Sequence, residues 1–445
     1  MIQDLRDFLA ALKAGGQLLE FTKPVNPVHE LGAVLASLEK KGLGAGLFTR
    51  VAGYGIPVAG GLLSDHRKIG IALECRPEDI SARMDSMLSA AEFPQPTMWT
   101  NGIPPCQEEV LVGEAADFTK LPIPVHAPLD GGPFVTAGVA ISRSISGGRQ
   151  NLSYQRMHIK NARRSGFMIN QWRHARYFLD EAEQAGKALP ISVAVGVDPA
   201  IMIAAGVKTD RDEMELACAL RGRPIEMVKS ITNDILVPAR SEFILEGFLG
   251  PGEYEEEGPL AEFTVHYGNP WKSPVFTLTA ITHRKNPIWQ TLNGASYEHI
   301  NLGNVLPREP KLKQLTQYVS KGVRAVHIPP YGAGFLALVS MDKTHEGEPK
   351  NVAMAAMSSH INIKSVIVVD GDVDIFNPAD VLWSLATRFN PVTDMFTVPN
   401  AQGHELDPSG DHGLMTKMGM DATYWLGKKR QTKVVYPDID ANRFL

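Results

Sequence analysis

Apolar residues recur at helical spacing near the start of the chain. Leu5, Phe8, Leu9 and Leu12 fall on one face of a helix over 4–14, with Asp4 placed to cap it and Gly15-Gly16 to stop it. A second helix fits His29 to Lys41 and ends at Gly42, and a third fits Pro77–Ala91. Short apolar runs with glycine lie between them, so residues 1–107 read as a small α/β unit. Phe93-Pro94-Gln95-Pro96, followed by Pro104-Pro105, reads as a linker. From about Glu108 the period changes to that of strands. Phe134–Ile145, Ile191–Val197 and Pro274–Ile281 are rich in β-branched and apolar residues. Helical stretches at Arg173–Gly186, Pro199–Ala205 and Glu213–Leu220 interrupt them. A third region opens with the helix Pro310–Gly322. It then alternates Val323–Ile328, Phe335–Met341, Pro349–Ser358, Ser365–Val369 and Pro378–Phe389, the order of an α/β layer. The expected division is 1–107, 108–305 and 306–445.

Composition narrows the class. The chain has 445 residues, 44% hydrophobic and 21% charged, enough to bury a large core. Lys plus Arg number 44 against 49 for Asp plus Glu, a net −5, which offers no basic field to nucleic acid or an anionic membrane. Cys75, Cys106 and Cys218 are scattered and odd in number, so neither a disulfide framework nor a CxxC metal site is expected. A reducing, cytoplasmic setting follows. The polar start Met1-Ile2-Gln3-Asp4 is unlike a signal peptide, and no run of eighteen apolar residues occurs.

Chemistry concentrates in a few segments. Glu257-Gly258-Pro259-Leu260-Ala261-Glu262 sets two glutamates around a Gly-Pro bend. Proline fixes its own φ and donates no ladder bond, so no regular strand or helix is expected through it. A bent segment can aim both carboxylates at one point, where mutual repulsion favours keeping a proton on one of them. The plain alternative is an acidic surface loop, since Glu253, Glu255 and Glu256 crowd there too. Asn151-Leu152-Ser153-Tyr154-Gln155-Arg156 is dense in polar groups for an inner strand, which a bound polar ligand or an exposed face would explain. Alternation puts Asn151, Ser153 and Gln155 on one face and Tyr154 and Arg156 on the other, so Asn151 and Arg156 share a site only if the strand is broken. Arg173-His174 begins a helix, and Glu213 follows a capping-box-like start, Thr209-Asp210-Arg211-Asp212. An Asn, His and Glu set suits manganese or magnesium better than zinc, although these spacings match no short metal motif. Asp370, Asp372 and Asp374 end a strand and could hold magnesium for phosphoryl transfer, or simply form a turn before the helix start Asn377-Pro378. Gly131-Gly132 and Gly147-Gly148 form no GxGxxG or P-loop, and no G-x-S-x-G is present.

In order along the chain, these segments resemble the UbiD family of prenylated-FMN-dependent decarboxylases. The resemblance runs through Asn151–Arg156, Arg173-His174, Asp212-Glu213-Met214, Ala219-Leu220-Arg221-Gly222, Glu226–Lys229 and Thr232-Asn233-Asp234. It continues through Val237-Pro238-Ala239, Leu245-Glu246-Gly247, Glu257…Glu262, Val366–Asp374 with Ala386-Thr387-Arg388, and Lys417–Thr423. It implies an α+β fold in which a central flavin-reductase-like split β-barrel is flanked by N- and C-terminal α/β domains, the latter serving oligomerisation. It implies that Asn151, His174 and Glu213 hold Mn2+ or Mg2+, with K+ as a second ion, against the phosphate of prenylated FMN. Residues Asn151, Leu152, Ser153, Tyr154, Gln155 and Arg156, with Arg173, would line that cofactor, and Lys343 would reach its phosphate. Arg156, Glu257 and Glu262 match a Glu-Arg-Glu network, with Glu262 as proton donor. The implied partners are a small carboxylic acid substrate (aromatic, furan, pyrrole or indole type, or α,β-unsaturated), a flavin prenyltransferase that supplies the cofactor, and further copies in a homodimer or homohexamer. Leu260-Ala261 departs from an aromatic-glycine pair, and Gln155 stands where smaller residues are common. A flavin-binding subunit without turnover is the non-enzymatic alternative.

Overall fold

The structure is a computed structural model, and it describes all residues except 91, 171–173, 210, 429, 430, 432, 435, 438, 441, 442, 444 and 445. It is a mixed α+β chain that divides into two compact units. One comprises Met1–Lys311 with Ile328–Phe335 and His404–Gly413, and the other Leu312–His327, Leu336–Gly403 and Leu414–Leu445.

In the first unit the opening helix is Leu5–Ala14. Asp4 caps it, its side chain accepting from Asp7 N at 3.0 Å, and Leu5, Phe8, Leu9 and Leu12 are buried. The second helix starts at Glu30, one residue later than the periodicity suggests, because His29 has φ +65 and makes no side-chain cap. These helices belong to a layer whose four-stranded sheet runs Leu18–Phe21, Ala45–Phe48, Val58–Gly60, Trp289–Gln290. The last strand comes from beyond the central region, so this layer is sewn to residues far along the chain.

The central sheet has nine strands. Its path runs Phe134–Val135, Met157–Ile159, Arg164–Phe167, Trp271–His283, Phe243–Glu257, Leu189–Val195, Val139–Arg143, Gln150–Tyr154, with Glu109–Val112 paired to Trp271–His283. Its spine is the antiparallel pair Phe243–Glu257 and Trp271–His283, whose register shifts twice, at Glu246/Gly247 and Leu249/Tyr254. The apolar run 134–145 splits into two strands at Thr136. The Thr136 hydroxyl leaves the ladder to accept from Leu292 N at 3.2 Å, tying the sheet to the segment after Trp289. Among the described residues no helix is long and apolar enough to cross a membrane.

The second unit carries a five-stranded sheet, ordered Val323–His327, Leu336–Met341, Ser365–Asp370, Leu414–Ala422, Met395–Gln402. The helices Glu348–Ser359 and Pro378–Arg388 belong to it, and Leu338, Ile367, Val369, Val381 and Ala422 share one core cluster. The Pro378–Arg388 helix starts as its sequence suggests, with Asn377 accepting from Ala379 N and Pro378 in the first turn.

Candidate active site

The strand Gln150–Tyr154 ends one residue short of Gln155, and Met157–Ile159 begins on the other side of the break. Face alternation therefore stops before Arg156, and the opposition of faces that periodicity implies does not hold. The Arg156 guanidinium forks onto Glu257, Nε to Oε1 and Nη2 to Oε2, both at 2.8 Å. Its Nη1 donates to Glu262 Oε1. Glu257 is fully buried and Glu262 is 8% exposed, so the acidic-loop alternative is set aside. Two buried carboxylates share one guanidinium.

The bend between the glutamates is fixed by backbone bonds. The strand Phe243–Glu257 stops at Glu257, Gly258 has φ +97, and the Gly258-Pro259 peptide is cis. Glu262 N donates to His266 O, and Gly268 N to Leu260 O at 2.9 Å, closing a tight loop. From outside, Gly131 N donates to Pro259 O at 2.8 Å, and Ala261 N donates to Asp130 Oδ1 at 3.1 Å. A Cβ on Gly131 would stand 2.3 Å from Gly258 O, so only glycine permits this approach. Gly258 N donates to His158 Nδ1 at 3.2 Å. Burial and the charge of Lys160 push that imidazole down to about 4, so near neutral pH it is uncharged and can accept. Sequence reasoning missed Asp130, Gly131 and His158. The one available signal was the Gly131-Gly132 pair, which marks close backbone packing rather than a phosphate loop. Gly131→Ala should lower kcat by about 10²-fold, the scale for an ångström of displacement at a reacting group. Steady-state kinetics on cofactor-loaded protein would show this, and wild-type kcat would refute it.

A second cluster lies on the same strand. His174 opens the helix His174–Gln184, and its Nδ1 lies 3.0 Å from Asn151 Oδ1. Glu213 opens the helix Glu213–Arg221, which is capped by Asp212, and its Oε2 accepts from Leu152 N at 3.2 Å. Asn151, Ser153, His174, Lys208 and Glu213 line a small cavity of about 20 Å³, room for one water-sized occupant. Burial pushes the Glu213 carboxyl up to about 7. The amide oxygen, imidazole nitrogen and carboxylate oxygen fit a hard or borderline divalent ion. No group of three or more His, Cys, Asp or Glu that could hold a metal occurs among the described residues, consistent with an amide in the third place here.

The remaining expected site residues are placed as follows. Leu152 is buried, and Gln155 Nε2 donates to Ser153 Oγ at 3.1 Å. The Tyr154 hydroxyl donates to Met202 O, so its ring anchors the strand to the helix Pro199–Gly206. Arg173 lies outside the described residues. Lys343 belongs to the second unit, where its Nζ pairs with Glu346 at 2.6 Å. His299, on the short helix Tyr297–Ile300, meets Phe263 edge-on with ring centroids 6.4 Å apart. Burial first, then the charge of Arg156, pushes its imidazole down to about 4, and its Nδ1 is buried without a hydrogen-bond partner. Asp370, Asp372 and Asp374 do not form an open metal site. Arg388 bonds Asp370 at 2.8 Å and forks onto Asp372, while Asp374 accepts from Phe376 N. Their charge is spent on a buried arginine, which removes the phosphohydrolase reading.

Family models of 3-octaprenyl-4-hydroxybenzoate carboxy-lyase match in three parts. The N-terminal domain matches residues 9–86, the Rift-related domain 98–296 and the C-terminal domain 302–422. An anhydromevalonate phosphate decarboxylase of Methanosarcina mazei is 34% identical over 427 residues, covering 95% of this chain and 97% of that protein. The structure of the UbiD-class enzyme HmfF from Pelotomaculum thermopropionicum in complex with FMN superposes with TM-score 0.94 at 37% identity, covering 99% of this chain and 100% of the other. An evolved dimeric form of the same enzyme in complex with prFMN gives 0.90 at 35%, covering 100% of both chains. The family models and the decarboxylase relatives make the chain a carboxy-lyase. The chain belongs to the UbiD family.

Proposed function

We propose that this carboxy-lyase removes carbon dioxide, reversibly, from an aromatic, furan-, pyrrole- or indole-type, or α,β-unsaturated acid bound over prenylated FMN. The observation that carries the reading is one arginine held between two buried glutamates, five residues apart in sequence. Arg156 receives the substrate carboxylate, because the fork onto Glu257 fixes the guanidinium plane and leaves Nη1 directed toward Glu262. The bound flavin supplies the electron sink for the charge left on carbon. The carbon–carboxylate bond breaks, carbon dioxide leaves, and Glu262 hands its proton to that carbon. Glu257 holds Arg156 through both oxygens. Water or a buffer acid then returns a proton to Glu262, so the balance is a carboxylate and a proton in, the decarboxylated product and carbon dioxide out.

Asn151, His174 and Glu213 would hold Mn2+ or Mg2+ at the cofactor phosphate, with K+ nearby, and Lys343 would contribute a further charge. The nine-stranded sheet would be the split barrel, flanked by α/β domains at 1–107 and 306–445. The neutral His299 imidazole, with a free buried ring nitrogen near Arg156, suits the ring heteroatom or a second carboxylate of the substrate. A homodimer or homohexamer working in the cytoplasm, supplied by a flavin prenyltransferase, completes the reading. The test is a decarboxylation screen of cinnamic, benzoic, furan, pyrrole and indole acids, using protein produced with a flavin prenyltransferase. Turnover of at least one acid is expected. A fully loaded protein that releases carbon dioxide from none of them, and exchanges no solvent deuterium into the corresponding products, would refute it.

A further inference from the structure

The short helix Tyr297–Ile300 carries His299 toward Arg156, yet its anchors lie in the N-terminal layer. Glu39, from the helix Glu30–Lys40, accepts from Tyr297 N at 2.9 Å. Glu298 Oε1 accepts from Leu63 N at 3.0 Å, and Asn301 Nδ2 donates to Leu63 O at 3.0 Å. Leu63 is thus gripped at both its N–H and its C=O by side chains three residues apart. Glu298 is 1% exposed, and its other oxygen, Oε2, is buried with no hydrogen-bond partner. An ionised carboxylate in that position is costly unless a cation or donors compensate it. The charged groups around it do not. Glu39 adds a second acid, and Lys68, whose charge works the other way, is itself bonded to Asp65 at 2.5 Å. From the cofactor-side strand, the Tyr154 phenol already donates to Met202 O.

We propose that Glu298 is a positioning residue that holds His299 in the active site only while it carries a proton, coupling substrate affinity to pH through the N-terminal layer. This rests on the substrate role of His299 proposed above. In the neutral form one oxygen accepts from Leu63 N and nothing charged is buried. When the proton leaves, the carboxylate is drawn toward water and away from Leu63, and the turn bearing His299 loosens. Burial, with the Glu39 charge adding to it, pushes the Glu298 carboxyl up to about 7 from an ordinary 4.5. The folded state therefore binds the extra proton between those values. The stability this confers is complete below about 4.5 and is lost as pH rises to about 7.

Hydrogen exchange of cofactor-loaded protein decides it without a substrate. In wild type, amide protection of residues 297–301, corrected for intrinsic exchange, should fall by up to about tenfold per pH unit between about 4.5 and 7 and level off above that range. In Glu298→Gln, whose amide oxygen still accepts from Leu63 N without charge, protection should stay flat. KM for the acid turned over in the screen should rise over the same range in wild type only, with kcat changed little. Protection that is flat in wild type, or falls equally in Glu298→Gln, overturns the proposal. Glu298→Ala should raise KM at every pH while flavin absorbance of the purified protein stays at the wild-type level. Loss of flavin instead would make Glu298 merely structural and overturn the proposal too. An unchanged KM in His299→Ala would overturn the substrate role of His299 and the coupling to affinity, leaving the exchange result to judge the proton alone.

Discussion

Glu262→Gln should lower turnover by about 10²–10⁴-fold while the protein keeps its flavin. Glutamine preserves the size of the side chain and an oxygen for Arg156 Nη1, so the hydrogen bond to the guanidinium can persist. What it lacks is an acidic proton for the carbon that has lost its carboxylate. Glu257→Gln removes a different thing. Glu257 is fully buried and takes the Nε–Nη2 edge of the guanidinium, leaving one N–H on each Nη for a substrate carboxylate. Its loss leaves a buried cation undercompensated, a disruption worth about 3–5 kcal/mol for a broken buried pair. The two variants should separate cleanly. Glu262→Gln should melt like wild type and fail in chemistry, and Glu257→Gln should lose thermal stability as well as activity. Wild-type turnover by Glu262→Gln would remove it as proton donor.

Glu213→Ala should abolish retention of metal and flavin together. Glu213 supplies the only carboxylate of the Asn151, His174 and Glu213 set, and it sits beside Leu152 N on the strand expected to line the cofactor. Loss of partners that merely orient ligands already costs about 10–100-fold in metal affinity, so losing an anionic ligand should cost more. Purified Glu213→Ala should be colourless in the flavin region and contain no Mn2+ by elemental analysis. His174→Ala should behave alike. Retention of both groups at wild-type stoichiometry would show that the cluster serves the strand alone.

Much of the architecture was legible because it depends on local patterns. The helix at Leu5–Ala14 follows from its cap and apolar face, and the strands Leu189–Val195 and Ser365–Asp370 from their β-branched runs. Sequence did not reveal the break after Tyr154, since Gln155-Arg156 carries no glycine or proline to announce it. Nor did it reveal that Trp289–Gln290 pairs with Val58–Gly60, because a two-residue strand has no periodicity. Of the site, the polar and charged residues were readable as an ordered set. The groups that hold Glu262 in place were not, because backbone amides, Asp130 and His158 act through contacts that span 100 and 131 residues. The carboxylates Asp370 and Asp372 left two readings open for the opposite reason. Their arginine partner lies sixteen or eighteen residues on, at the far end of the Pro378–Arg388 helix.

The loop between the glutamates is held almost wholly by main-chain groups: Gly131 N on Pro259 O, Ala261 N on Asp130, Gly268 N on Leu260 O. None of these bonds depends on which side chains occupy 260 and 261. Glu262 therefore keeps its address while its neighbours are free to mutate. Leu260-Ala261, unusual beside the aromatic-glycine pair that the family resemblance leads one to expect, is what such freedom looks like after divergence. A laboratory library at these two positions would explore new acids from a constant catalytic framework.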